Sequence, residues 1–224
     1  MRKSGFTLAE VLLTLAIIGV VAALTIPAII TKVINDQYVV GLKKAYSTLK
    51  SVEGKARQEY GDMENWDWST GTTTSDFEKY FLPHFDVLKN CGATTEKGCF
   101  AEGLTALNRE SGAEIAELNI TGVYRIVTSD GMSWAYFGSG RTDPLEARGR
   151  FVVDVNGLKG PNRYGRDIFV FDVFPSSLGI KPDGSYSGDG VTPIPTSDVD
   201  SKCNTSGIGE YCTAKVLSEG AMNY

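Results

Sequence analysis

Residues 6–31 carry a single charge, Glu10, and are otherwise apolar or small. The run exceeds the roughly 20 residues that a helix needs to cross a hydrocarbon core about 30 Å thick. Arg2 and Lys3 precede it, so the positive-inside rule keeps the N-terminus in the cytoplasm and sends the rest across. Glu10 is the anomaly. A carboxylate inside a membrane helix costs about 2.5–3.5 kcal/mol on insertion scales, so it marks a functional position with a partner to be found. An ordinary secretory signal has small residues after its apolar region, where a peptidase cuts on the far side. Here the small residue, Gly5, stands before the run, directly behind a short basic leader.

Gly5-Phe6-Thr7-Leu8 at the head of such a run, followed by Glu10, Gly19 and Pro27, resembles the type IV pilin and type II secretion pseudopilin family. The resemblance implies cleavage after Gly5 by a prepilin peptidase and N-methylation of the new terminus at Phe6. It implies filament-assembly roles for Glu10 and Pro27. The Glu10 carboxylate would pair with the free amine of Phe6 on a neighbouring subunit, so that neither charge stays uncompensated among apolar helices. The implied partners are further copies of the subunit, other pilin or pseudopilin subunits, the prepilin peptidase/methylase and an inner-membrane assembly platform. The implied location is the bacterial inner membrane, single-pass, with the N-terminus cytoplasmic and the C-terminal domain periplasmic or extracellular, then a filament after assembly. The implied fold is α+β and pilin-like: a long N-terminal helix, membrane-spanning in its first half, packed on an antiparallel β-sheet. The expected organisation is a leader peptide over 1–5, a transmembrane and assembly half of the helix over 6–31, and an extracytoplasmic soluble domain over 32–224.

Outside the leader and span, about 190 residues remain, enough for one domain with a real core. The net charge of -5 with scattered basic residues gives no stripe for nucleic acid, so none is expected as a partner. The four cysteines form two sequence-local pairs, Cys91/Cys99 and Cys203/Cys212. An extracytoplasmic domain permits disulfides, and two local bridges are the natural reading among three connectivities. A zinc site is the rival. Neither pair has C-x-x-C spacing, and His84 is the only histidine, which leaves the ligand set short.

Beyond Pro27, which should bend the helix, an apolar stripe continues at Ile34, Tyr38, Leu42, Ala45, Leu49, Val52 and Ala56. The helix should end near Tyr60, with Gly61 just past its end. Gly41 and Gly54 weaken it by about 1 kcal/mol each relative to Ala. Trp66 and Trp68 sit in a polar stretch and read as caps on a core rather than as a binding platform. Ser75 with Glu78 opens a short helix that Pro83 breaks. Residues 123–128 and 132–137 flank an Asp-Gly turn and read as a hairpin. Residues 150–155 and 167–173 are the next two strands. Helices first and strands afterwards, with short links, argue an antiparallel sheet. Residues 174–205 are rich in Gly, Pro, Ser and Asp and read as an irregular surface excursion. The periodicity of residues 210–224 fits a short helix or a terminal strand.

Two segments offer hard oxygen ligands. In DVNGLKGPNRYGRD, Asp154, Asn156, Asn162 and Asp167 could hold calcium with backbone carbonyls between them. The competing role is structural, with Asn, Gly and Pro setting turns while the two acids satisfy loop amides. Asp183 and Asp189 form a weaker candidate of the same kind. No nucleophile–base motif or phosphate loop is present, and His84 has no acid or nucleophile near it in sequence. The expectation is a structural subunit of a type II secretion pseudopilus or type IV pilus-like filament, not an enzyme, with no cofactor beyond possible calcium. The alternative is a filament-borne binding module, an adhesin or a DNA-uptake pilin.

Overall fold

The computed structural model describes Gly5 and residues 7–68, 74–109, 118–138, 146–147 and 149–224. The order is a long helix α1 (Leu8–Tyr60), short helical turns over Met63–Asn65 and Phe77–His84, then strands β1 (Val87–Gly92), β2 (Tyr124–Thr128), β3 (Ser133–Gly138), β4 (Gly149–Asp154), β5 (Ile168–Phe174) and β6 (Gly179–Pro182). Helices α2 (Thr196–Lys202) and α3 (Cys212–Glu219) follow. The chain divides into two units after Gln37.

In the first unit none of the described residues of α1 is fully buried. Leu8, Leu13, Leu15, Leu24 and Ile29 are all exposed, and the most apolar 18-residue window has a mean hydropathy of 2.6. By length and composition this helix can cross a membrane. It continues through Pro27, and Thr31 Oγ1 donates back to the Pro27 carbonyl at 3.0 Å.

In the second unit the same helix becomes amphipathic. Tyr38, Leu42, Ala45, Leu49, Val52 and Ala56 are buried, spaced by three and four as one helical face requires. Full burial of a side chain such as Leu42 or Leu49 contributes about 1.5–3 kcal/mol. Gly61 ends the helix in the left-handed region at φ 79°, its N–H bonded to the Arg57 carbonyl at 2.9 Å. Gly41 has a packing reason: a Cβ there would lie 3.0 Å from that of Val155. Gly54 has none, with nothing within 4 Å.

The six strands form one antiparallel meander in sequence order, β1 to β6. Alternation sorts its two faces. Trp134, Tyr136, Phe151, Val153, Phe169, Phe171, Val173 and Ile180 share one core with the α1 stripe. Ala135, Val152 and Ile168 form a second core on the other face with Phe100, Leu118 and Val123. Both faces are covered, which is why β4 and β5 read as near-continuous apolar runs. Trp66 stacks on Tyr80 at 4.3 Å, and the indole N–H groups of Trp66 and Trp68 reach the Gly61 and Met63 carbonyls at 3.0 and 2.7 Å. The two tryptophans therefore cap the core beside the end of α1.

One expectation is corrected. Residues 174–205 are not wholly irregular: they contain β6 and α2. β6 is short, lies on the sheet edge and ends at Pro182, and α2 buries only Val199, so neither carries a period to read. β1 was equally hidden, because register shifts between Val87/Lys89 and Asn90/Gly92 break its alternation and Leu88 is exposed. The C-terminal ambiguity resolves to helix α3.

Candidate functional site

The N-terminal candidates come first. Phe6 lies outside the described residues, as do Arg2 and Lys3. Among the described residues a Cβ on Gly5 would meet nothing within 4 Å. Thr7 and Glu10 form a reciprocal cap on α1. Glu10 Oε2 accepts the Thr7 N–H and the Thr7 hydroxyl, both at 2.8 Å, while the Glu10 N–H donates to Thr7 Oγ1 at 3.3 Å. The cap holds a carboxylate at the helix entrance. A negative charge is favoured there by the helix dipole as well.

The second region is the β4–β5 connection. Asp154 and Asp167 stand at its two feet, both fully buried. The Asp167 carboxylate accepts the Asn162 N–H at 2.9 Å and the Arg163 N–H at 2.7 Å. Asp154 Oδ1 accepts the Asn156 N–H at 3.1 Å. Asn156 Nδ2 donates to the Gly160 carbonyl at 3.1 Å and to the Tyr38 hydroxyl at 3.4 Å, tying the loop to α1. Burial, then the nearby Asp167, pushes the Asp154 carboxyl up to about 8. Burial also raises Asp167, opposed by the loop N–H groups of Arg163 and Asn162. All four sequence-chosen residues thus converge, and Asp167 does satisfy loop amides. The loop's glycines are explained by close approach. At Gly157 a side chain would strike the Gly131 carbonyl, and at Gly165 it would strike Cys212 Sγ.

The cysteines form Cys91–Cys99 and Cys203–Cys212 disulfides, so none is free for zinc. Among the described residues no group of three or more His, Cys, Asp and Glu gathers. Asp183 and Asp189 are used separately. Asp189 accepts the Val191 and Thr192 N–H groups at 2.9 and 3.0 Å in its own exposed turn, and its bond from Ser187 is the largest cause of its lowered pKa. His84 Nε2 lies 3.6 Å from a Glu59 carboxylate.

Residues 1–26 match the family model described as the prokaryotic N-terminal methylation motif. The chain carries a type IV prepilin-type signal. Gly5, Phe6 and Glu10 fall inside the matched segment, and Pro27 lies one residue beyond it. No curated protein and no solved structure matches the chain. The prepilin-type signal is therefore continuous with an apolar, unburied helix and with an α+β domain whose core is built on the same helix.

Two features of this prepilin-like chain escaped the sequence. Glu53 is 6% exposed, although Lys50 and Arg57 at helical spacing suggest an ordinary surface network. It accepts the Ile180 N–H at 3.2 Å and so joins α1 to β6. A cavity of about 270 Å³ opens on the second face of the sheet, lined by Phe137, Arg150, Asp172, Asp183, Tyr186 and Tyr211. Arg150 Nε donates to Asp172 at 2.8 Å across the β4–β5 register. Asp183 accepts the Tyr211 N–H at 3.1 Å. Both lie where the sequence offered only isolated charges.

Proposed function

We propose that the protein is a structural subunit, pseudopilin or minor pilin, of a type II secretion pseudopilus or type IV pilus-like filament. It is made as a single-pass precursor in the bacterial inner membrane, cut after Gly5 and methylated on Phe6. The observation that carries the reading is the prepilin-type signal over residues 1–26, lying on the apolar first stretch of α1, whose most apolar 18-residue window has no buried residue. A lone helix of that kind leaves its apolar face to lipid before assembly and to neighbouring helices afterwards. The chain is a substrate of processing enzymes in this reading, and its own domain is packing and recognition surface.

Glu10 supplies the assembly contact. Cleavage after Gly5 creates an ammonium on Phe6, and the carboxylate that meets it comes from a neighbouring subunit. Thr7 keeps that carboxylate at the helix end until then, through the bonds it already makes. Loss of one partner from a buried ion pair costs about 3–5 kcal/mol. That range corresponds to a more than hundredfold change in an association constant at ~1.4 kcal/mol per decade. The test is co-expression of wild type and Glu10→Gln with an assembly system, scored by sheared-filament recovery and cross-linking. The Gln variant should be inserted and cleaved normally yet enter filaments poorly. Normal incorporation would refute the assembly role of Glu10.

A further inference from the structure

The cavity beside Arg150 holds a carboxylate oxygen that the fold leaves unmet. Asp183, directly after β6, lines the cavity and is 7% exposed. Its Oδ2 accepts the Tyr211 N–H at 3.1 Å. Its Oδ1 accepts no hydrogen bond among the described residues, and Arg150 Nη2 stands 3.9 Å away, beyond hydrogen-bond reach. Arg150 turns instead to Asp172, through Nε at 2.8 Å. Glu210, also within electrostatic range of Asp183, is answered by Lys202 at 3.2 Å. Two carboxylates therefore face one guanidinium at the cavity among the described residues. Burial, and then the Asp172 charge, lift the Asp183 carboxyl to about 7, as an ionised oxygen short of compensation requires.

The wall around Asp183 is strained into place. Tyr211 adopts φ 62°, the left-handed region that a bulky side chain rarely enters. Gly184 makes room for it, since a side chain there would collide with Tyr211. Strained backbone of this kind clusters at binding sites.

We propose that the cavity binds a primary ammonium group on a short alkyl stem, with Asp183 Oδ1 accepting its N–H and Phe137, Tyr186 and Tyr211 lining the space for the stem. An ammonium fits better than a guanidinium, whose fork takes both oxygens of a carboxylate, because Asp183 Oδ2 is already held by Tyr211. It fits better than a quaternary ammonium, which has no N–H to give. Aromatic side chains favour a cation and its apolar stem alike. The volume of about 270 Å³ corresponds to about nine waters at ~30 Å³ each, room for a stem of about four or five carbons. A free amine and a lysine side chain from another copy of the chain present the same group, and the test separates them. The site does not depend on the filament reading.

The test uses isotopically labelled full-length protein in micelles of an uncharged detergent. n-Butylammonium is titrated at fixed ionic strength while the Tyr211 amide resonance is followed. The shift should saturate, with a dissociation constant on the order of 1–10 mM for so small a probe. Tetramethylammonium and butyrate should bind at least tenfold more weakly. Asp183→Asn keeps an acceptor of the same shape but removes the charge, and should weaken binding at least tenfold. Tyr186→Leu keeps an apolar wall without the ring, and should fold and bind about threefold more weakly. Sedimentation equilibrium identifies the source. If a lysine from a second copy fills the cavity, butylammonium and Asp183→Asn should each reduce self-association; self-association unchanged beside intact butylammonium binding assigns a free amine. No saturable shift in the wild type would overturn the proposal. So would an equal shift from tetramethylammonium or butyrate, or undiminished binding in a folded Asp183→Asn variant.

Discussion

Replacing Glu53 should loosen the join between α1 and the edge strand β6. Its Oε2 accepts the Ile180 N–H at 3.2 Å and Lys50 Nζ at 2.6 Å, and its Oε1 accepts Arg57 Nε at 3.1 Å. Gly179 sits so close beneath that a side chain there would collide with the carboxylate. In Glu53→Ala the Ile180 N–H, on a fully buried residue, loses its acceptor at a cost of about 1–3 kcal/mol. The side chains of Lys50 and Arg57 are 39% and 23% exposed, so both can turn to water and the full cost of a broken buried pair is not reached. The sum is a destabilisation of about 2–4 kcal/mol, or a Tm lowered by roughly 4–15 °C in a domain of this size. Glu53→Gln keeps an acceptor for Ile180 and should lose about half as much. Thermal unfolding in micelles by near-ultraviolet circular dichroism, with amide exchange at Ile180, reads both effects. A Glu53→Ala variant as stable as wild type, with Ile180 still protected, would show that strand pairing alone holds β6.

Gly54→Ala should stabilise the domain by up to about 1 kcal/mol, because the new methyl meets nothing within 4 Å. Gly41→Ala should gain less or lose stability, since the same helix preference is opposed by contact with Val155; equal gains in parallel melts would refute the packing argument. Burial, then the charge of Asp172, raises Asp183 to about 7 against the pull of Arg150. An acid whose folded pKa exceeds its unfolded value of about 3.9 binds more protons when folded, so stability falls as pH rises between those values, by at most ~1.4 kcal/mol per unit. Melts should therefore show higher stability at pH 5 than at pH 8, and Asp183→Asn should lessen the difference, the remainder coming from the buried Asp154 carboxyl; a wild type that gains stability from pH 5 to pH 8 would contradict the assignment. Non-reducing peptide maps should show Cys91–Cys99 and Cys203–Cys212 bridges, each contributing about 2–3 kcal/mol for so short a loop, and a cross-pair would refute them.

Much of this architecture is legible in the chain because it rests on period. The spacing of Tyr38, Leu42, Ala45, Leu49, Val52 and Ala56 specifies one buried helical face, and Gly61 marks its end. Ser129-Asp130-Gly131 separates two apolar runs that pair as β2 and β3. Where period fails, the reading fails with it. β1 is bulged, β6 has four residues, and α2 buries a single apolar side chain. Glu53 escaped because its burial depends on β6, which was itself unread. The Asp154–Asp167 loop could be chosen from residue types alone, but its convergence could not. That depends on Asn162 entering the left-handed region and on the Thr105 N–H, from the segment before β2, donating to the Asn162 carbonyl at 3.0 Å. The cavity beside Arg150 needed the β4–β5 register and the return of Tyr211 to Asp183, neither of which leaves a local mark.

The measurement that bears most directly on the protein's role is the intact mass of the mature chain. It would be recovered from membranes of cells co-expressing a prepilin peptidase, beside cells that lack the peptidase. With the enzyme present, the chain should begin at Phe6 and carry one added methyl group; without it, the precursor should persist at full length. A bulky residue in place of Gly5 should leave that precursor uncut even with the enzyme, although among the described residues no atom would crowd a Cβ there. A mature chain that begins beyond Ala23, or one left unprocessed beside an active peptidase, would contradict the filament-subunit account.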